Sequence, residues 1–269
     1  MNEISINSNT TDIQKILRFW QLVLIKVRFN LRSEATQSYL SYAWWVLEPL
    51  LMVAVFYIVF EILLHRGTGD FVTFLLCGII PWLWFSKCVS QSGMSIMQGR
   101  GLIGQVYLSK AFFPVVLIGQ NSVKQLFVFV LLFIFLIYKG YSPSITWLWI
   151  VPVILTQLIF TIAASFIVAF LVPFARDIKY LIDAGLRMMM FGSGIFYSYT
   201  DVLIPKHRDI FLMNPMANLI VNYRKVLIED STPMLGSLLG ITLVSLFIIV
   251  MMYLLMKRFD NTLTRLALE

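Results

Sequence analysis

Charge, histidine and cysteine are scarce in this chain. Of 269 residues, 13% are charged, two are histidine and two are cysteine. Soluble domains carry about 25% charged residues, so this composition excludes an ordinary water-exposed globule. His65 and His207 stand alone, and Cys77 and Cys88 lie 11 residues apart in one apolar run. No His/Cys group has the spacing of a metal site, and cysteines so spaced do not bond as neighbours on a helix. No lysine follows a glycine. The Gly-Lys-Ser/Thr phosphate loop is therefore missing, and the chain is not its own P-loop ATPase. Glu48 and Glu61 are 13 residues apart on one expected helix. That is roughly 20 Å at about 1.5 Å per residue, too far for a catalytic carboxylate pair. No Ser/His pair is placed for nucleophilic work. A charge inside an apolar segment still implies function, so a polytopic membrane enzyme or scaffold is kept as the reading from another class.

Apolar residues are abundant: 59% of the chain, with mean hydropathy +0.83. A bilayer core about 30 Å thick needs roughly 20 apolar residues in a helix. Six stretches meet or approach that length: Tyr42–Leu64, Phe71–Ser92, Ala111–Tyr138, Trp147–Pro173, Leu181–Tyr199 and Met234–Met256. The fifth is the least apolar, with Asp183, Arg187 and three glycines, Gly185, Gly192 and Gly194. Leu203–Ile228 mixes apolar residues with charges and two prolines, Pro205 and Pro215. It is too polar to span and reads as short amphipathic or re-entrant helices. Six spans put both termini on one side. With the N-terminus inside, the inner side holds 13 lysines and arginines, counting Arg187 in the inner third of the fifth stretch, and outer segments hold 6, while Lys87 and Lys124 fall within spans. The positive-inside rule then puts both termini in the cytosol. The net charge of +7 needs no nucleic-acid partner, since anionic lipid and a cytosolic partner face the same segments.

The first 40 residues do not read as a signal peptide, because no short apolar core is followed by a small-residue cleavage site. Ile13, Ile16, Leu17, Trp20, Leu24, Val27 and Leu31 share one helical face, and Gln14, Arg18, Gln21, Arg28 and Arg32 the other. That period predicts a helix lying in the interface plane, either a surface anchor or a lever to a cytosolic partner. The expected division is 1–41 for the N-terminus with this helix and 42–269 for one six-span domain. Within the spans, Glu48 and Lys87 are costly against lipid. Either they pair across antiparallel helices or each meets water separately. Trp44, Trp45, Trp82, Trp84, Trp147 and Trp149 fall at expected boundaries. They read as interfacial belts or as a stacking track for sugar rings.

The order of several short motifs resembles the polysaccharide-export permeases of the ABC-2 transporter class, which export O-antigen, capsule or teichoic-acid chains. Tyr39–Leu51 resembles that family's entry to its first span, with Ser41 where glycine is usual. Gly78-Ile-Ile-Pro-Trp-Leu-Trp-Phe85 resembles its Gly-x-x-Pro-Trp-x-x-Phe, and 102–114 its cytosolic loop. Phe174-Ala-Arg-Asp-Ile178 resembles Phe-Arg-Asp with Ala175 inserted. Gly194-Ile-Phe-Tyr197 resembles Pro-Ile-x-Tyr with glycine for proline. Asn214-Pro-Met216 followed by Arg224 resembles elements of its outer segment.

The resemblance implies an all-α membrane protein of the ABC-2 exporter fold, with six transmembrane helices, an N-terminal interface helix and periplasmic gate helices before the last span. It implies a homodimer in the bacterial inner membrane above two copies of a separate ATP-binding cassette subunit. That partner would hold ATP and magnesium, leaving no cofactor in this chain. The implied substrate is a lipid-linked polysaccharide on a carrier such as undecaprenyl diphosphate, O-antigen before capsule or teichoic acid. An ABC-2 permease for a lipid or drug is the nearer alternative. The expected substrate path is Tyr39, Tyr42, Trp45, Trp82 and Tyr197, and the expected ATPase-coupling residues are Arg100, Arg176 and Asp177.

Overall fold

The computed structural model describes residues 12–37, 41–63, 70–106, 108–202 and 204–268. All regular structure among them is helical. In chain order the helices are α1 (Asp12–Gln37), α2 (Ser41–Tyr57, continued by a π-helical turn Ile58–Leu63), α3 (Phe71–Gln98), α4 (Arg100–Ile103) and α5 (Phe112–Tyr138). Next come α6 (Ile150–Leu171, entered through a 3-10 turn Ile145–Trp149), α7 (Ile178–Gly192), α8 (Tyr199–Val202), α9 (Pro205–Leu212) and α10 (Pro215–Leu227). The chain ends with α11 (Leu235–Arg258) and α12 (Asp260–Leu268).

Four helices are long and apolar enough to cross a bilayer: Phe71–Gln98, Phe112–Tyr138, Ile145–Leu171 and Leu235–Arg258. The chain is thus a multi-pass membrane protein. The expected first span is α2, of 17 residues, prolonged by the π-helical turn to Leu63, and the expected fifth holds the shorter α7, of 15 residues. Leu181–Tyr199 is not one helix, because α7 closes at Gly192 and the chain turns at Gly194, whose φ is +69°. Glycine takes that left-handed conformation at no steric cost.

The bundle is organised around α3, which packs against α2, α5, α6, α7, α10 and α12. Its apolar window is 72% buried, against 17% for α11. The lipid-like exposure of α11, with Leu239, Leu243, Phe247 and Leu254 turned outward, is what a span at the rim requires. Pro81 lies inside α3. A proline has no N–H to donate and disturbs the helix ladder beside it. Two glutamines stand against the backbone there: Gln157 Nε2 donates to the Pro81 carbonyl at 2.8 Å and Gln125 Nε2 to the Ile80 carbonyl at 3.3 Å. These bonds tie α5 and α6 to the α3 backbone at the proline.

Helix α1 runs alongside the first half of α5. Phe19 meets Phe112 edge-on, Asn30 donates to Gln120 at 3.3 Å, and Glu34 meets Lys124. The buried stripe is Val23 and Val27, whereas Leu17, Trp20 and Leu24 are exposed. One side of α1 packs on protein and another remains apolar and outward. Leu203–Ile228, expected as short amphipathic or re-entrant helices, holds α8's successor α9 and then α10, which is almost wholly enclosed against α3 and α6.

Candidate transport path and coupling surface

Helix α10 is fixed by its own start. Asn214 caps it, its side chain accepting from the Met216 N–H at 3.1 Å, and Pro215 occupies the first turn. Both residue types suit those positions. The cap sets the register of Arg224, 6% exposed on the inner face of α10. Its guanidinium donates to the carbonyls of Gly194 (2.6 Å), Ile195 (2.8 Å) and Phe74 (3.1 and 3.2 Å) and lies 3.4 Å from the Phe74 ring centroid. A planar fork with five donors suits several carbonyls at once. Three motif segments that are distant in sequence therefore meet at one side chain: Gly78 of α3, the Gly194 turn and Arg224. Asn214 also donates to Ser193 at 3.2 Å, tying the same turn to α10.

A second set of polar groups lies midway along the long helices. Lys87 donates to Glu48 at 2.6 Å, so the two residues flagged in the sequence do meet, α3 to α2. Lys124, 11% exposed, is held by Glu34 of α1 with one contact at 2.6 Å, and its ammonium stands 5.6 Å from the Trp45 ring. Gln120 also donates to Glu34 at 2.8 Å, and Asn121 to Gln91 at 2.8 Å. Trp45, Glu48, Lys87, Asn121, Lys124 and Gln125 line one cleft between α2, α3 and α5. On the other side of the Glu48–Lys87 bridge, Asp183 accepts from Ser90 at 2.7 Å and is bonded by Lys179. The sequence flagged Glu48 and Lys87 but not the Glu34–Lys124 and Asp183–Lys179 partnerships. A carboxylate on a polar stretch such as α1 gives no signal of a mate 90 residues away.

The expected path residues are dispersed. Tyr39 lies outside the described residues, and Tyr42 falls in α2. Trp45 lines the cleft just described. Tyr197 follows the Gly194 turn, half-buried, its ring 6.2 Å from that of Phe211. Trp82 is 2% exposed and packed 5.8 Å from Phe85. It is a core residue with no free face in this conformation, because α3 is enclosed on nearly all sides. Trp45 and Tyr197 are the expected path residues whose described surroundings leave a ring partly open.

Arg100, Arg176 and Asp177 are all exposed at one end of the bundle. Arg100 begins α4 and Asp177 is the N-cap residue of α7. Helix α12, absent from the sequence-based expectations, packs beneath them on α3 and α4. It buries Leu263 and Ala267 and brings Asp260 to 3.5 Å from Lys110, itself 3% exposed. The spacing of Phe259, Leu263 and Ala267 at every fourth position was the available signal. Phe259 also meets the rings of Phe170 and Phe174, so α12 joins the α3–α4 turn to the α6–α7 turn. At the opposite end, Ser144 and Thr146 hydrogen-bond Asp230 and hold its carboxyl below the usual range. Burial and the Asp70 carboxylate push the Tyr141 hydroxyl upward.

No family model matches the chain. It is similar to two O-antigen export system permease proteins RfbA of Klebsiella pneumoniae, each 26% identical, over 79% and 77% of this chain and 82% and 80% of the relatives. It is also similar to the O-antigen export system permease protein RfbA of Myxococcus xanthus, 24% identical over 88% of this chain and 92% of that relative. The resemblance to polysaccharide-export permeases read from the motifs therefore extends along most of the chain.

Proposed function

We propose that this chain is the membrane-spanning permease subunit of an ABC exporter that moves lipid-linked polysaccharide, O-antigen before capsule or teichoic acid, across the bacterial inner membrane. The observation that carries this is likeness to named O-antigen export permeases over 77% to 88% of the chain. The bundle supports it physically. Charged and amide side chains are collected along clefts between apolar helices, where an isolated charge is expensive. In this reading α2 and α7 are the first and fifth of six spans, both termini face the cytosol, and two copies assemble side by side. Helices α9 and α10 close the periplasmic side. ATP is hydrolysed by a separate cassette subunit, two copies per dimer, which presses on the end bearing Arg100, Arg176 and Asp177. The force must enter there because the chain has no phosphate loop. Trp45 and Tyr197 offer rings to the polymer, and stacking worth about 1 kcal/mol per ring guides sugars without trapping them.

Deletion of the gene tests the proposal. Lipid-linked polymer should accumulate on the cytosolic side while surface polymer disappears, and the intact gene should restore export. Unchanged surface polymer in the deletion strain would refute it.

A further inference from the structure

We infer that the groove between α1, α5, α6 and α11 holds one acyl chain of an anionic bilayer phospholipid, with the headgroup at its mouth beside Lys257. This lipid is a resident of the outer wall of the bundle and not a cargo. The inference needs only a chain that spans a membrane, and it goes beyond the exporter reading.

The groove measures about 500 Å³, and of its lining side chains only Trp20, Ser122 and Tyr253 carry a polar atom. Its floor is α5, from Ala111 to Ser122. That stretch rises roughly 16 Å at about 1.5 Å per residue. One leaflet fills half of a bilayer core about 30 Å thick, so the slot is about one leaflet deep. Phe19 and Trp20 of α1 form one wall, and Ile162 of α6 and Ile249 of α11 the other. Helix α1 packs on α5 and α2 and faces α6 and α11 across the slot. A helix about 10 Å across and as long as the floor displaces roughly 1,200 Å³. A second copy of this chain would therefore stand out of the slot, whereas an extended hydrocarbon chain lies in it lengthwise.

The mouth suits the polar end of the same guest. Trp20 and Tyr253 are exposed on opposite walls, and such rings sit at headgroup level. Lys257 is exposed one turn beyond Tyr253 on α11, on the same helix face. On α1 the sequence puts a second lysine, Lys15, one turn before Phe19. Both positions lie toward the bundle end that bears Arg100 and Arg176. Phe19 meets Phe112 at the start of α5 there, and Phe259 meets Phe170 and Phe174. Asp260, the next carboxylate after Lys257, stands 3.5 Å from Lys110 instead. Lysines at headgroup level favour an anionic lipid over a zwitterionic one. With the chain seated, α1 is held on a second side, through lipid, against α6 and α11.

The test uses the full chain in nanodiscs of equal phosphatidylglycerol and phosphatidylcholine, with the lipid retained per chain counted by native mass spectrometry. The unaltered protein should retain phosphatidylglycerol about tenfold or more over phosphatidylcholine, and Lys257→Gln should cut that ratio about fivefold. Ile162→Trp fills the slot and should abolish retention of both lipids. Lys257→Gln is a surface change that leaves the fold intact, so it decides the matter should Ile162→Trp not fold. An unchanged ratio in Lys257→Gln overturns the site, as does full retention in a folded Ile162→Trp. Equal retention of the two lipids by the unaltered protein overturns the anionic headgroup. Displacement of phosphatidylglycerol by an equal amount of undecaprenyl phosphate assigns the slot to a prenyl chain and overturns the proposal. A dimer present in the unaltered protein and lost in Ile162→Trp assigns the slot to a second copy and overturns it as well. None of these outcomes depends on polymer export, so the exporter reading stands or falls separately.

Discussion

Gly78 makes room for Arg224. A Cβ at position 78 would stand 2.8 Å from the Arg224 Nη2 and 3.4 Å from the Ile195 Cα. Absence of a side chain on α3 thus lets a buried guanidinium reach the carbonyls of Gly194 and Ile195. Gly78→Ala should push the guanidinium off those carbonyls and cost about 1–3 kcal/mol, the range of overpacking. Gly78→Val should cost more. Thermal unfolding in detergent measures both, and a Gly78→Ala protein as stable as the parent would show that the fork is free to shift.

Arg224→Lys tests the fork itself. One ammonium cannot serve three carbonyls in the guanidinium plane, and each charge-assisted bond lost costs about 1.5–3 kcal/mol. The variant should lose folded protein before it loses any transport step. Export per folded molecule should stay normal in the residue that survives.

Trp82 and Tyr197 should behave oppositely. Trp82→Ala opens a hole beside Phe85 and should cost about 3–5 kcal/mol, so protein level and export fall together. Tyr197→Ala should leave the protein level unchanged while polymer collects on the cytosolic side. Quantitative blotting beside a surface-polymer assay separates the two. Normal export in a Trp45→Ala, Tyr197→Ala double variant would remove both rings from the path.

Glu34 and Lys124 should be energetically coupled. Lys124 is 11% exposed but Glu34 is 43% exposed, so solvent screens the pair and the coupling should be about 1 kcal/mol. A double-mutant cycle with Glu34→Gln and Lys124→Met, read by thermal midpoint, gives it. Zero coupling would mean that α1 is held on α5 without this ion pair, by Val23, Val27, Phe19 and the Asn30–Gln120 hydrogen bond.

The bundle end should transmit force. Replacing Arg176 and Asp177 together with alanine should leave the protein inserted and its partner bound, with ATP turnover no longer linked to export. Leu263→Asp should do the same from behind, by lifting α12 off the turns it joins. Normal export in either variant would show that this end is only a solvated surface.

The long helices were legible because α3, α5, α6 and α11 are apolar runs that no soluble fold could hide. Their partners were less so. Glu48 and Lys87 could be flagged because charge in an apolar run stands out, yet only tertiary packing brought them to 2.6 Å. Arg224 looked like an outer-segment charge, since the cap at Asn214 and the turn at Gly194 that bury it act through space. Helix α12 is nine residues long, too short for its buried face to be noticed after the basic end of α11. Trp82 was taken for a boundary aromatic, but its neighbours on α3 are buried on almost every side.

The central claim is tested most directly by transport in inverted inner-membrane vesicles that carry this permease and its ATP-binding partner. Radiolabelled lipid-linked polymer is supplied on the outer, cytosolic face, and a glycosidase then digests whatever remains accessible. Polymer should become protected within the lumen only when ATP is present, and the Arg176→Ala, Asp177→Ala double variant should show no protection. Polymer that stays fully digestible with ATP and both subunits present would contradict the account.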